Sequence, residues 1–212
     1  MLITFSGVVG SGKSTAARYT LDILDRSGLS AKYLRFQSLG SFKRPRRPRG
    51  LRQAWPSEPL TPEGDQVSMR GLGYRRRKLT LSRTLGYMAR AIIFRVFRLR
   101  SDSQTFLVVN RYFYDNLAHY QLKTRIERIY ISLLRLIIPA PDLPLVLVAS
   151  LEATAERRSN YARAYLGEIR AGYENLRQYF PELIVISSEG RIGMEESLTR
   201  ALCARLERDS LR

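Results

Sequence analysis

Short apolar runs alternate with amphipathic stretches along this chain. Leu2-Ile3-Thr4-Phe5 reads as a buried strand. Ala17, Thr20, Leu21 and Leu24 then recur at the i, i+3, i+4, i+7 spacing of one helix face, and Gly28 stands where that helix should stop. Residues 31–36 form a second strand. From 79 to 100 the pattern is helical again, with Leu81, Leu85, Met88 and Ile92 as the apolar face and arginines opposite. Residues 105–109 are apolar throughout, as a central parallel strand should be. A mainly helical stretch over 116–138 leads to a strand at 143–149. Residues 152–180 are helical and highly charged, and Pro181 stops them. A fifth strand at 183–186 precedes a closing helix over 193–208, with Leu198, Leu202 and Leu206 on one side. Strands alternating with helices predict an α/β fold, a parallel sheet covered on both faces. The length of 212 residues suits one domain spanning 1–212.

The first strand runs directly into Gly7-Val8-Val9-Gly10-Ser11-Gly12-Lys13-Ser14-Thr15. This fits Gly-x-x-x-x-Gly-Lys-[Ser/Thr], the Walker A phosphate loop. Glycines let the backbone turn tightly, so successive N–H groups point inward at phosphate oxygens. Lys13 suits the β- and γ-phosphates of ATP, and the Ser14 hydroxyl suits Mg²⁺. The helix that follows aims its positive end at the same anion. Strand, loop, Lys-Ser-Thr and helix agree, which a chance glycine-rich turn does not require. The reading is a P-loop NTPase fold that binds ATP with Mg²⁺.

Charge changes the picture next. The chain has 36 Lys plus Arg against 19 acids, a net of +17. Residues 37–78 lack hydrophobic periodicity, are rich in Pro, Gly and Arg, and hold 11 basic and 3 acidic side chains. Residues 79–100 add 5 arginines and no acid. So basic a stretch over 37–100 suits an anionic surface, nucleic acid or membrane, or a phosphorylated ligand. Residues 37–78 read either as a basic flap beside an acceptor site or as a solvated insertion. Trp55 within them is a binding aromatic or a packing anchor. The single His119 argues against a histidine-built metal site. Cys203 is the only cysteine, which excludes an internal disulfide and suits a reducing cytoplasm. No apolar run reaches the roughly 18 residues of a membrane span.

The third strand ends in Asn110-Arg111-Tyr112-Phe113-Tyr114-Asp115. Ligands of open α/β sheets sit at the carboxyl ends of the strands, so this cluster lies where chemistry would be done. Asp115 is either a general base for a hydroxyl acceptor or the N-cap of the next helix. Asp142 is either a water-bridged partner of Mg²⁺ or a turn residue after Pro141.

Together these residues resemble the thymidylate kinases and their relatives among P-loop kinases. The resemblance rests on the N-terminal phosphate loop and on Asn110-Arg111-Tyr112, close to that family's Asp-Arg-Tyr/His. It rests also on Leu117-Ala118-His119-Tyr120-Gln121, near its Ala-Tyr-Gln, and on Pro141-Asp142 followed by a strand and an arginine-bearing segment. It implies a five-stranded parallel sheet, a mobile lid around 152–170, and γ-phosphoryl transfer from ATP to a nucleoside monophosphate such as dTMP. It implies that Arg111 binds the acceptor phosphate, with Arg90, Asn110 and Tyr112 on the acceptor side. Arg157 and Arg158 match the lid arginines, their alternative being a solvated helix face. A small-molecule phosphate acceptor is the partner implied, and a homodimer is allowed.

Three departures fall on the acceptor side. Val9 stands where the family has an acid in the loop, and Asn110 stands for the strand-end Asp. The family's Arg-Glu-Pro-Gly segment after the second strand is replaced by Gln37 and the arginine-rich stretch. These leave open a P-loop kinase for a nucleoside, sugar or lipid-linked alcohol. An arginine-rich, nucleic-acid-binding P-loop ATPase and a non-catalytic nucleotide sensor are further alternatives.

Overall fold

A computed structural model describes residues 1–35, 81–100, 105–120, 124–157 and 163–210. The elements run β1 (Leu2–Gly7), α1 (Lys13–Arg26), β2 (Ala31–Arg35), α2 (Leu81–Leu99), β3 (Phe106–Asn110), α3 (Phe113–Leu117), α4 (Arg125–Ile137), β4 (Leu143–Val148), α5 (Leu151–Arg157), α6 (Arg163–Arg177), β5 (Ile184–Ser187) and α7 (Arg191–Ser210). The five strands form one parallel sheet in the order β2-β3-β1-β4-β5. This is the α/β architecture that the alternation of elements predicts. The 37–78 stretch, Trp55 and Arg158 lie outside the described residues.

Side chains alternate across each strand, so the central strands build two cores at once. Leu2, Leu107, Val109 and Val146 face one side, where α2, α3, α4 and α6 pack. Ile3, Phe5, Phe106, Val108, Leu145 and Leu147 face the other, under α1 and α7. Leu198 and Leu202 of α7 are buried there, as their spacing predicts. Gly28 ends α1 in the left-handed region, at φ 71°.

Helix α2 corrects the sequence reading. Its inward face is Tyr87, Ala91 and Phe94, all buried. Two residues of the expected face point out: Leu85 is 58% and Ile92 51% exposed. The helix carries two apolar stripes, and periodicity does not say which one turns inward. Aromatic packing decides it. Phe94 meets Tyr112 at 5.8 Å and Phe113 at 6.0 Å, edge to face, and Tyr87 meets Phe113 at 5.9 Å. Such pairs add about 0.5–1.5 kcal/mol each beyond their buried area.

The expected helix over 152–180 is two helices, α5 and α6, and the stretch over 116–138 likewise holds the end of α3 and then α4. Thr124 starts α4 with a capping box: its hydroxyl accepts from the Glu127 N–H, and Glu127 accepts from the Thr124 N–H. Asp142 sits at the start of β4, at the opposite end of the sheet from the phosphate loop. It accepts from the Leu2 N–H at 2.6 Å and pairs with Arg98 and Arg205. The length of β1, about 3.3 Å per residue, separates it from the loop. Asp142 therefore anchors the amino end of the central strand and holds no metal at the nucleotide end.

Helix α6 crosses α3 at very short range. A Cβ on Gly172 would lie 1.9 Å from the Ala118 carbonyl oxygen. Gly172→Ala must push the two helices apart, and overpacking of this kind costs on the order of 1–3 kcal/mol. Chemical denaturation should show a loss of that size, whereas Gly167→Ala, whose Cβ would meet only the Leu151 side chain at 3.9 Å, should be nearly neutral.

Candidate functional site

The phosphate loop leaves the carboxyl end of β1, the central strand, and is fixed from three sides. Gly7 has φ 145°, and a Cβ there would fall 2.3 Å from the Leu147 carbonyl oxygen of β4. Only glycine fits. From α6, the Tyr173 hydroxyl accepts from the Gly7 N–H at 2.9 Å and donates to the Gly7 carbonyl at 3.2 Å. Within the loop, the Ser11 N–H donates to the Val8 carbonyl. Gly12 then starts α1 at φ 83°, with no side-chain cap and no acid in the first turn. The first-turn amides of α1 are thus left for an anion.

Lys13 is buried, and its Nζ donates to the Gly7 and Val8 carbonyls at 2.7 and 2.8 Å. The ammonium is held under the loop, on the path from β1 into α1. Around it lies an open cleft of about 400 Å³, lined by Val9, Gly10, Gly12, Lys13, Ser14, Thr15, Arg35, Arg111, Arg157, Ser188, Arg191 and Met194. Five of these are cations and none is an acid. Such a cleft fits a polyphosphate.

Arg111 follows β3 at φ 64°, alone among the described non-glycine residues in the left-handed region. Its N–H donates to the Phe5 carbonyl at 2.9 Å, which holds the turn against β1. Strain of this kind costs about 1–3 kcal/mol and collects at functional sites. Arg157, at the end of α5, donates to the carbonyls of Gly10, Ser188 and Glu189 at 3.1–3.3 Å. It bridges the phosphate loop to the β5–α7 connection.

Arg35 and Arg191 line the cleft although sequence reasoning passed over them. Arg35 ends β2 in register with Asn110, and Arg191 begins α7 beyond β5. Arg35 stands at the carboxyl end of a parallel strand and Arg191 past one, the position that singled out the Asn110 cluster. The same rule applied to every strand would have found them.

Asn110 is buried at the end of β3. Its Nδ2 donates at 3.0 Å to both Ser14 Oγ and the Tyr33 hydroxyl, and its Oδ1 has no hydrogen-bond partner among the described residues. Ser14 thus has an amide neighbour where the related pattern has a carboxylate. Burial raises the Tyr33 hydroxyl pKa, and the Asn110 contact opposes it. Among the described residues no group of three His, Cys, Asp or Glu side chains could hold a metal. A Mg²⁺ ion still fits, because it takes few protein ligands and completes its shell with phosphate oxygens and water. Ser14 Oγ is the ligand this arrangement offers.

The other acceptor-side expectations fare differently. Tyr112 lies wholly in the core, and its hydroxyl donates to the Pro139 carbonyl. The side chain does not reach the cleft, because the chain reverses after Arg111 and turns it into the aromatic cluster under α2. Arg90 is half-buried on α2 and is not among the cleft residues; burial lowers its pKa. Asp115 lies in the first turn of α3, and the N-cap is Tyr112 instead. Its carboxylate sits beneath the loop beside Ser6, Tyr173, Lys13 and Arg111, and one oxygen is buried without a hydrogen-bond partner among the described residues. Burial raises its pKa, and Lys13 leads the neighbours that oppose the shift. Burial also pushes the Tyr173 hydroxyl well above the usual tyrosine range, and Asp115 adds to that.

No protein-family model matches the chain, and no curated protein matches it by sequence. Solved structures do match. A thymidylate kinase from Candida albicans aligns with a TM-score of 0.56 and 19% identity, over 99% of this chain and 92% of that one. A thymidylate kinase from Ehrlichia chaffeensis aligns with a TM-score of 0.55 and 16% identity, over 94% and 96%. The protein has a thymidylate kinase-like P-loop fold. Helices long and apolar enough to cross a membrane are absent among the described residues.

The raised pKa of Asp115 sets a pH dependence. A carboxyl that binds its proton more tightly when folded stabilises the protein fully below its ordinary value of 3.8. That contribution is lost as pH rises through the folded value. Asp115→Asn keeps the shape without the charge. Its melting temperature should therefore gain on the wild type as pH rises from about 4 to about 7. A variant that falls behind the wild type over that range would show that the ionised form is the stabilising one.

Proposed function

We propose that this chain is an ATP-dependent phosphotransferase of nucleoside monophosphate kinase type, acting on a small phosphorylated acceptor. The observation that carries this reading is the convergence of Lys13, Arg35, Arg111, Arg157 and Arg191 on one cleft at the phosphate loop. Phosphoryl transfer needs in-line positioning and charge neutralisation more than covalent chemistry. The backbone from Gly7 to Thr15 cradles the ATP phosphates, and Lys13 reaches the β- and γ-oxygens. Mg²⁺, when bound at Ser14, neutralises charge on the same oxygens. Arg111 holds the acceptor phosphate, and its turn at the end of β3 points the acceptor at the loop. Arg157 is the lid arginine, already spanning the loop and the β5–α7 connection. An acceptor phosphate is itself nucleophilic, so the buried Asp115 need not act as base.

A second reading keeps the kinase and changes the acceptor to a nucleoside, sugar or lipid-linked alcohol. Val9 and Asn110 change the acceptor side, and Asp115 is the carboxylate that an alcohol acceptor would need as its base. A cytoplasmic site of action fits either reading, with Cys203 free and exposed.

An ATP-consumption screen over nucleoside monophosphates, nucleosides, sugars and lipid-linked alcohols separates the two. Lys13→Ala should abolish turnover with the fold retained by circular dichroism. Equal activity and ATP affinity in that variant would reject the reading. With the best acceptor from the screen, Arg111→Ala should lower kcat/KM on the order of a hundredfold, since hydrogen bonds to charged groups contribute about 1.5–3 kcal/mol. Asn110→Ala should lose far less. A near-normal Arg111→Ala enzyme would make the turn after β3 purely structural.

A further inference from the structure

We propose that Tyr173 is a positioning residue for nucleotide binding: from α6 it sets the place of the Lys13 ammonium, by fixing the Gly7 carbonyl on which that ammonium rests. The proposal rests on the reading of the loop as an ATP site. It adds to that site a residue 166 positions beyond Gly7 in the chain.

Packing does not call for the Tyr173 hydroxyl. The ring is buried with Leu166, Ile169 and Leu176 of the same helix. A phenylalanine would fill that space with no polar atom to satisfy. What the hydroxyl does lies at the loop. It accepts from the Gly7 N–H at 2.9 Å and donates to the Gly7 carbonyl at 3.2 Å. One atom thus holds both backbone groups of the residue at which β1 becomes the loop. Gly7 needs holding, because glycine restricts its own backbone least and here stands at φ 145°.

The same carbonyl accepts from Lys13 Nζ at 2.7 Å. A carbonyl oxygen has two lone pairs, and the phenol and the ammonium use both. The lysine stem is flexible, so its head stands where its partners hold it. Its other partner, the Val8 carbonyl at 2.8 Å, also accepts from the Ser11 N–H at 3.1 Å. Each carbonyl under the ammonium therefore has a second donor that keeps it in place. For Val8 that donor is an amide of the loop itself, and for Gly7 it is Tyr173. The Asp115 carboxylate, which lies beside both Lys13 and Tyr173, is a further link between them.

Helix α6 is built to deliver this hydroxyl. Gly172, the preceding residue, lets the helix approach Ala118 more closely than any Cβ would allow. Helix α5, just before it, ends in Arg157, which donates to the Gly10 carbonyl at 3.3 Å. Two consecutive helices thus hold the loop at Gly7 and at Gly10.

The test is a double-mutant cycle on ATP affinity, read by titration calorimetry with Mg²⁺ and no acceptor. Tyr173→Phe should bind ATP about tenfold more weakly than the wild type. Lys13→Ala weakens ATP by itself, and in that background Tyr173→Phe should add less than about twofold, because the ammonium it positions is gone. A purely structural tyrosine would lower the melting temperature without this coupling. Should Tyr173→Phe not fold by circular dichroism, Gly172→Ala takes its place in the cycle, since it displaces α6 and leaves every side chain at the loop unchanged. Wild-type ATP affinity in the variant, or an equal loss in both backgrounds, overturns the proposal. A wild-type chain that binds no ATP overturns it together with the loop reading. A chain that binds ATP but phosphorylates nothing fails the kinase reading alone, and the cycle still decides the proposal.

Discussion

The contact of one hydroxyl with one glycine governs the nucleotide end of the molecule. Tyr173 on α6 accepts from the Gly7 N–H and donates to the Gly7 carbonyl, so both backbone groups of that residue are engaged at once. This matters because the loop has no hydrophobic core of its own. Its shape must come from the strand behind it and from hydrogen bonds. Gly7 is pressed against the Leu147 carbonyl on one side and held by Tyr173 on the other. For Tyr173 to reach it, α6 must approach closely, and Gly172 permits that by leaving no side chain against Ala118 of α3. The loop geometry thus depends on a helix that begins some 150 residues later in the chain.

A second constraint follows from charge. The cleft gathers Lys13 and four arginines, and a cluster of like charges without a counter-ion is self-repelling. Within the described residues the structure tempers this by spending carbonyl oxygens. Lys13 rests on Gly7 and Val8, and Arg157 rests on Gly10, Ser188 and Glu189. Arg191 pairs with Glu195 at 2.7 Å, and Asp115 lies under the loop, where burial opposes its ionisation. A polyphosphate would relieve the repulsion that those carbonyls only lessen, which is the electrostatic case for an anionic ligand.

How much of this was legible in the sequence depended on range. The strand–loop–helix at the N-terminus was legible because every part is local: an apolar run, a glycine pattern and an amphipathic stripe. The three central strands were legible because central parallel strands are largely apolar, and the edge strands β2 and β5 from their place between helices. Helix α2 was legible as a helix, but its inward face was misassigned. Two apolar stripes satisfy the same period, and what turns Tyr87, Ala91 and Phe94 inward is a set of aromatic rings from α3 and its N-terminal turn. Tyr112 fails as an acceptor contact for a related reason. It adjoins Arg111 in sequence, but the left-handed turn at Arg111 sends the two side chains to different places. Arg35 and Arg191 were missed because each looks like an ordinary surface arginine until the strand order brings its end to the cleft.

The two-sided hydrophobicity of α2 also bears on how this fold is used. A helix apolar on both faces is normally buried on both, since exposing the second costs about 25 cal/mol for each Å² of apolar surface. Here the inward face meets the aromatic core, and the outward one stays exposed among the described residues. The inward stripe is the one that contributes to folding. The outward stripe, together with the exposed Ile126, Ile129, Leu133 and Leu136 of α4, adds nothing to the core, and exposed apolar surface lowers solubility.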